Sequence, residues 1–154
     1  MASRETPATR AARAAGIAFS VHEYAHDPGA PSFADEAAEA LGLEPATVFK
    51  TLVVERSGEL VVCIVPADAR LDLKAVGKGA QLADPKRAER VTGYVVGGIS
   101  PLGQRRRLRT LLDESALAHD TIHVSAGRRG LEIELAPDDL VALTAAEVRG
   151  LAAR

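Results

Sequence analysis

Two apolar runs, residues 47–55 and 59–66, lie close together in the chain and constrain its fold more than any other feature. Both are rich in valine and other β-branched residues, which favour strands over helices. The residues between them, Arg56, Ser57 and Gly58, suit a tight reversal of the chain. The sequence therefore predicts an antiparallel hairpin and a fold organised around a sheet.

The flanking segments carry mixed helical and strand signals. Helices are predicted at 6–15, at about 33–41 after a Ser32 cap, at 72–78, at 84–91 and after Thr144, which forms a capping box with Glu147. Strands are predicted at 17–24, 94–96, 107–112, 121–125 and 131–135. This order predicts an α+β fold in which helices surround a curved mixed sheet, with residues 1–154 as a single domain.

Composition excludes several classes of protein. Hydrophobic residues make up 47% and charged residues 26% of the chain, which is typical of soluble globular proteins. The longest apolar run, 60–67, is too short to cross a membrane. A single cysteine, Cys63, excludes an internal disulfide framework and indicates a reducing cytoplasm. The net charge of −2 argues against a general nucleic-acid coat, so any nucleic acid is expected to be gripped locally or with a partner.

Residues 22–26 read HEYAH and match the H-E-x-x-H pattern of zinc proteases. That pattern works on a helix, where the two histidines share one face. Here the preceding residues alternate with a period of two, which predicts a strand and places Glu23 opposite His22 and His26. The alternative is a short helix capped by Ser20 and Glu23, which would have to end within about two turns. We therefore expect no metal at this motif.

Lys50 shares one face of its predicted strand with Val48, Leu52 and Val54. Lysine is rarely buried without a reason, and two interpretations stay open. The side chain either reaches water past its aliphatic neighbours or supplies a cation to a pocket wall.

Two loops are rich in small residues. The first, 97–103, reads GGISPLG and could present backbone N–H groups to a ligand, although glycine clusters more often only turn the chain. It lacks the spacing of either common nucleotide-binding fingerprint. The second, 125–130, reads SAGRRG and predicts a hairpin loop with a cationic tip.

Several of these motifs, in this order, resemble one family. In chain order these motifs read HEYAHDP, SFADEAAEALGL, VFKTLVV, LDLKAVGK, ADP, TGYVVGGISPLGQRRRL and HVSAGRRGLEIEL. Together they are similar to the YbaK family of aminoacyl-tRNA deacylases, which is related to the editing domain of bacterial prolyl-tRNA synthetases. The resemblance runs from about Thr6 to the C-terminus. It implies a single α+β domain on a curved, barrel-like mixed sheet.

The resemblance also implies roles for individual residues. Lys50 matches the essential lysine of the family. The substrate pocket is expected to be lined by Tyr24, Phe33, Thr51, Gly97, Gly98, Ile99, Ser100, Pro101, Ser125 and Glu132. Glu132 stands where the family usually has aspartate, one methylene shorter.

The implied reaction is removal of cysteine from mischarged Cys-tRNA(Pro) in the cytoplasm, with the substrate thiol attacking its own ester. It implies no cofactor and no metal, and its partners are the acceptor end of tRNA(Pro) and prolyl-tRNA synthetase. Two alternatives remain open. The substrate could be Ala-tRNA(Pro) or another small aminoacyl-tRNA attacked by water, or the chain could be a non-catalytic module that binds the synthetase.

Overall fold

The computed structural model describes residues 4–27 and 33–154. In chain order the elements of its first half are α1 (Pro7–Ala14), β1 (Phe19–Glu23), α2 (Phe33–Leu41), β2 (Phe49–Arg56), β3 (Glu59–Pro66), β4 (Arg70–Leu71) and α3 (Leu73–Val76). The second half contains β5 (Gln81–Leu82), α4 (Pro85–Thr92), β6 (Arg109–Asp113), β7 (Ile122–Arg128), β8 (Leu131–Leu135), α5 (Pro137–Thr144), β9 (Glu147–Arg149) and β10 (Ala152–Ala153). Short 3-10 helices lie at Pro45–Thr47 and Glu114–Ala118.

The predicted hairpin is present as β2 and β3. The two strands pair antiparallel from Phe49↔Pro66 to Arg56↔Glu59. Ser57 and Gly58 form the two-residue turn with φ values of 53° and 81°, as a type I′ turn requires. The hairpin is the centre of a five-stranded sheet of order β5-β2-β3-β6-β9, in which β3–β6 and β6–β9 are parallel.

A second, three-stranded antiparallel sheet has the order β1-β8-β7. One of its faces is apolar and enters the core through residues such as Val21, Ile133 and Val124. The other face is polar, because the register aligns His22 with Glu132 and Ser125, and Glu134 with His123. A single parallel bridge between Val48 and His123 joins this sheet to the larger one.

The strand β3 is buried on both faces. Val62 and Ile64 pack into the main core, whereas Val61, Cys63 and Val65 pack into a second cluster on the other face of the sheet. This accounts for the continuous apolar run in the sequence, since a strand covered on both sides has no polar face.

The predicted α+β class with a mixed sheet and surrounding helices is confirmed, although the sheets are not closed into a barrel. The helix at 84–91 begins as predicted: the Asp84 carboxylate accepts from the Arg87 N–H at 3.0 Å and Pro85 occupies the first turn. The Ser32 cap lies outside the described residues. None of the helices in the described ranges is long and apolar enough to cross a bilayer.

The strand predicted at 94–96 is wrong. Gly93 ends α4 in the left-handed conformation, and the Val96 N–H then donates to the Glu89 carboxylate at 2.8 Å. The Gly98 N–H donates to the Val95 carbonyl at 2.8 Å, which makes a turn. These local bonds occupy the groups that a strand would offer to a neighbour.

The helix predicted to start at Thr144 is also wrong. Thr144 is the last residue of α5, and its hydroxyl donates backwards to the Leu140 carbonyl at 2.7 Å. Glu147 belongs to β9, and its carboxylate forms a bidentate ion pair with the Arg109 guanidinium. The sequence therefore has the residues of a capping box but not its hydrogen bonds. The residues after Thr144 pair with the edge of β6 as strand β9 and do not form a helix.

Asp113 holds the C-terminal segment against β6. Its carboxylate is buried and accepts from the N–H groups of Leu151 and Ala152 at 2.7 and 2.9 Å, and from the Ser115 N–H and hydroxyl. Burial opposes the charge, but the hydrogen bonds outweigh it and lower the pKa of Asp113.

We predict that Asp113→Ala lowers the free energy of unfolding by about 2–4 kcal/mol, because buried N–H groups lose their acceptor. Urea unfolding monitored by circular dichroism measures the loss. Asp68→Ala is the control, since within residues 4–27 and 33–154 the Asp68 carboxylate pairs only with the exposed Arg154. Equal unfolding midpoints for the two variants would contradict the assigned role of Asp113.

Candidate active site

A cavity of about 380 Å³ opens beside β2. β3 covers one edge of β2 along its whole length. On the other edge, β5 pairs only with Val54 and Glu55, and the bridge to His123 is made at Val48. Between these two points the edge of β2 has no partner strand in the described parts of the chain, and the cavity occupies this gap.

The open edge exposes backbone polar groups of β2 to the cavity. The Val53 carbonyl points to this edge, since it accepts from the Ala83 N–H at 2.9 Å, whereas the Val48 carbonyl points to the β3 side, towards the Ala67 N–H. Because backbone direction alternates along a strand, the N–H and C=O of Thr51 point to the open edge. The cavity therefore has a hydrogen-bonding wall built from main chain.

The rest of the lining is mostly apolar. Polar or ionisable side chains come from Tyr24, Lys50, Thr51, Ser125 and Glu132. The remaining lining residues are Phe33, Ala34, Phe49, Leu52, Val53, Leu82, Ala83, Pro85, Ala88, Val96, Gly97 and Ile99. A few converging polar groups in an apolar cavity of this size are typical of a small-molecule site.

Lys50 supplies a cation to the cavity. It is partly buried near the start of β2, and among the described residues no carboxylate or hydrogen-bond acceptor pairs with it. By contrast, Arg128 pairs with Glu23, and Arg129 donates to a backbone carbonyl. An ammonium group without a protein partner in a largely apolar cavity is available to an anionic or developing negative charge on a ligand.

Thr51 carries an unsatisfied hydroxyl. Its Oγ1 atom is buried and has no hydrogen-bond partner within the described residues. A buried polar group without a partner costs about 1–3 kcal/mol, so such groups are uncommon unless a ligand or water completes them.

Glu132 is buried on the polar face of β8, with 6% of its surface exposed. Burial raises the pKa of its carboxyl to about 8. Glu132 is therefore largely protonated at neutral pH. The pKa of Tyr24 is raised to about 12, chiefly by burial and further by the negative charge of Glu132 when that residue is ionised. A bound cation would lower the pKa of Glu132 again, because opposite charge favours the carboxylate.

The glycine loop contacts α2 at one wall of the cavity. Gly97 has φ of 91°, and a Cβ there would lie 2.7 Å from the Phe33 ring and 2.8 Å from the Arg129 guanidinium. Arg129 lies over the Phe33 ring at 4.8 Å from its centroid and donates two hydrogen bonds to the Val96 carbonyl. Arg129 thus fastens α2 to the loop, and only glycine fits between them.

Most of the predicted site residues meet in this cavity. Tyr24, Phe33, Lys50, Thr51, Gly97, Ile99, Ser125 and Glu132 line it. Gly98, Ser100 and Pro101 do not. A Cβ on Gly98 would lie 2.8 Å from the Arg128 Cα, and the Ser100 hydroxyl accepts from the Leu102 N–H. Pro101 is buried. These three residues therefore support the conformation of the loop without lining the cavity.

Apart from Phe33, Gly97 and Ile99, the apolar lining of the cavity was not predicted from the sequence. Phe49 and Val53 could have been inferred, because they alternate with Thr51 on β2. Leu82 comes from β5, Pro85 and Ala88 from α4, and Ala83 from the link between them; no local pattern indicates that they meet β2.

Comparison with known proteins identifies relatives of this chain. Residues 27–143 match the aminoacyl-tRNA editing domain family. The chain is 41% identical over 118 residues to an Enterococcus faecalis protein named "Putative Cys-tRNA(Pro)/Cys-tRNA(Cys) deacylase EbsC", covering 72% of this chain and 71% of that one. It is 32% identical over 111 residues to the uncharacterized protein YwhH of Bacillus subtilis, covering 69% and 71%. Its fold matches the crystal structure of "a putative trans-editing enzyme for prolyl tRNA synthetase" with a TM-score of 0.86 and 28% identity, covering 100% of this chain and 99% of that chain.

The raised pKa of Glu132 predicts a pH-dependent stability. In the folded chain Glu132 binds its proton up to about pH 8, whereas the unfolded carboxyl loses it near 4.5, so stability is fully present below the unfolded pKa and is lost as pH rises from about 4.5 to 8. At 1.36 kcal/mol per pH unit the loss is about 5 kcal/mol. We expect Glu132→Gln to remove this slope.

Thermal unfolding of both proteins between pH 5 and 9 measures the effect. Glu23→Gln is the control, since Glu23 lies on the exposed surface of β1. If wild type and Glu132→Gln keep parallel stability profiles, Glu132 does not carry the inferred proton.

Proposed function

The chain belongs to the aminoacyl-tRNA editing domain family, and from that premise we propose that it removes cysteine from mischarged Cys-tRNA(Pro). One observation carries the proposal: a single cavity combines an unpaired ammonium, an unsatisfied hydroxyl and an open main-chain edge. Those are the groups needed to hold an ester whose carbonyl oxygen becomes negative during reaction.

The proposed reaction uses the substrate's own thiol. The cysteine sulfur attacks its ester carbonyl, a C–S bond forms, and the C–O bond to the ribose breaks. The thiol proton passes to the ribose oxygen, so the products are a cyclic thiolactone and free tRNA. The lining of the cavity contains no cysteine or histidine within the described residues, which is compatible with a nucleophile supplied by the substrate.

Three of the polar groups around the cavity have a proposed part in this step. Lys50 and the Thr51 N–H oppose the negative charge that develops on the ester oxygen. The substrate's α-ammonium lies at Glu132, and its positive charge lowers the pKa of the carboxyl, which releases its proton to solvent and forms an ion pair with the ammonium. The apolar lining from β5 and α4 packs against the cysteinyl ester and the terminal adenosine, and holding the thiol close to the carbonyl supplies most of the acceleration.

The same cavity could hold a substrate without a thiol. Water would then be the nucleophile and Ala-tRNA(Pro), or another small aminoacyl-tRNA, the substrate. Editing is needed in both cases, because a pocket separates amino acids of similar size poorly. A synthetase-binding module without catalysis is the remaining alternative.

Partners and location follow from the substrate. We propose that prolyl-tRNA synthetase, which makes the error, hands over the tRNA in the cytoplasm, since a net charge of −2 gives this chain little general affinity for nucleic acid.

We predict that the purified protein deacylates Cys-tRNA(Pro) much faster than Ala-tRNA(Pro), and that Lys50→Ala slows the reaction at least about 100-fold, the usual effect of removing one donor to an oxyanion. Single-turnover release of labelled amino acid measures both. Lys74→Ala is the matched control, because Lys74 is exposed on α3 and does not line the cavity.

Equal rates on the two substrates would reject the thiol mechanism and favour water. No deacylation by the wild type at high concentration would favour the binding module. Wild-type activity in Lys50→Ala would remove Lys50 from the mechanism.

We predict opposite effects of Thr51→Val on stability and activity. The variant keeps the shape of the side chain but removes the unsatisfied hydroxyl, so the free energy of unfolding should rise by about 1 kcal/mol while deacylation falls about 10-fold or more. Thr51→Ser keeps the hydroxyl and should retain most of the activity. A Thr51→Val variant with wild-type turnover would show that the hydroxyl does not contact the substrate.

A further inference from the structure

Two histidines and a glutamate meet on the polar face of the three-stranded sheet. His22 comes from β1, His123 from β7 and Glu134 from β8, so each strand contributes one side chain. His22 Nε2 lies 2.9 Å from Glu134 Oε1, and His123 Nε2 lies 3.9 Å from Glu134 Oε2. One donor atom from each residue lies within 4.8 Å of the other two.

His123 is incompletely satisfied by the protein. It is 5% exposed, and its Nδ1 atom has no hydrogen-bond partner among the described residues. Its Nε2 atom is nearest to Glu134, but 3.9 Å is beyond hydrogen-bond length. No protein group in the described ranges bonds Nε2 at hydrogen-bond length, so this nitrogen can bind an ion while the ring proton stays on Nδ1.

Glu134 is already oriented for a ligand. The Thr121 hydroxyl donates to its Oε2 atom at 2.6 Å, which is the kind of outer contact that orients a metal-binding carboxylate. The side chains of His22 and Glu134 are partly exposed, so an ion can reach the cluster from solvent.

We propose that His22, His123 and Glu134 bind a Zn²⁺ ion, with a water molecule in the fourth position. Imidazole nitrogen and carboxylate oxygen are the ligands zinc takes when three protein groups leave one position open. A tetrahedral site needs donors about 3.3 Å apart, so the cluster has to contract around the ion. The partly exposed His22 ring can make most of that movement.

The site is different from the one that the H-E-x-x-H pattern describes, and it departs from the expectation of no metal. His22 joins residues more than 100 positions away, whereas His26 pairs with Glu36 at 2.8 Å on α2. The ion would tie β1, β8 and β7 together beside Glu132, which lies two residues before Glu134 on the same face. Its role goes beyond the proposed deacylation, which uses none of these side chains.

The test is zinc binding to the full chain after treatment with a chelator. Calorimetric titration should give one Zn²⁺ per chain with a dissociation constant below about 10 µM. Zinc at about 100 times that constant should raise the melting temperature by roughly 5 °C or more. Co²⁺ should bind more weakly than Zn²⁺ and give the visible absorption of a four-coordinate ion.

Variants distinguish this site from any other. His22→Ala and Glu134→Gln change partly exposed side chains and should each weaken zinc binding at least about 10-fold, while the chain without zinc stays folded by circular dichroism. His26→Ala is the matched control, since it removes the other histidine of the same motif and should leave zinc binding unchanged. The proposal is overturned by absence of saturable binding to the wild type, by unchanged binding in His22→Ala and Glu134→Gln, or by equal loss in His26→Ala.

Discussion

The unpaired edge of β2 is the constraint on which the site depends. A strand edge inside a protein exposes N–H and C=O groups that must find partners. Among the described residues, β5 pairs with Val54 and Glu55 of this edge, and the second sheet forms its single bridge at Val48. The gap between them is the cavity, and it brings Lys50 and Thr51 to a place where a ligand can complete the main-chain bonds.

The charges of the cavity follow from its burial. In the part of the chain that the structure describes, Lys50 has no carboxylate partner, and burial raises the pKa of Glu132 to about 8, so the cavity places a cation beside a neutral acid. A low-dielectric cavity strengthens the response of both groups to a charged ligand. An aminoacyl ester brings an ammonium and a carbonyl that becomes negative, which suits this pair. The aspartate-to-glutamate difference from the YbaK pattern is therefore compatible with the same function.

Sequence patterns predicted elements best where the local signal and the tertiary contacts agree. The β2–β3 hairpin and the start of α4 are confirmed, because their turn residues and cap act within a few positions of the chain. The predicted strand at 94–96 is wrong, because the Val96 N–H donates to the Glu89 carboxylate. The predicted helix after Thr144 is wrong, because residues 147–149 pair with the edge of β6. A pattern of residue types cannot show which of two competing partners its groups will bind.

By itself the sequence determined the α+β class, the central hairpin and, through the order of its motifs, the family, and it singled out Lys50 as a candidate catalytic residue. Alternation and turn chemistry are local, so they can be read from neighbouring residues. Only the tertiary structure decided which loop residues face the cavity, that Glu132 is protonated, and that His22 meets His123 and Glu134. Those features depend on burial and on contacts between residues far apart in the chain, which local residue patterns do not encode.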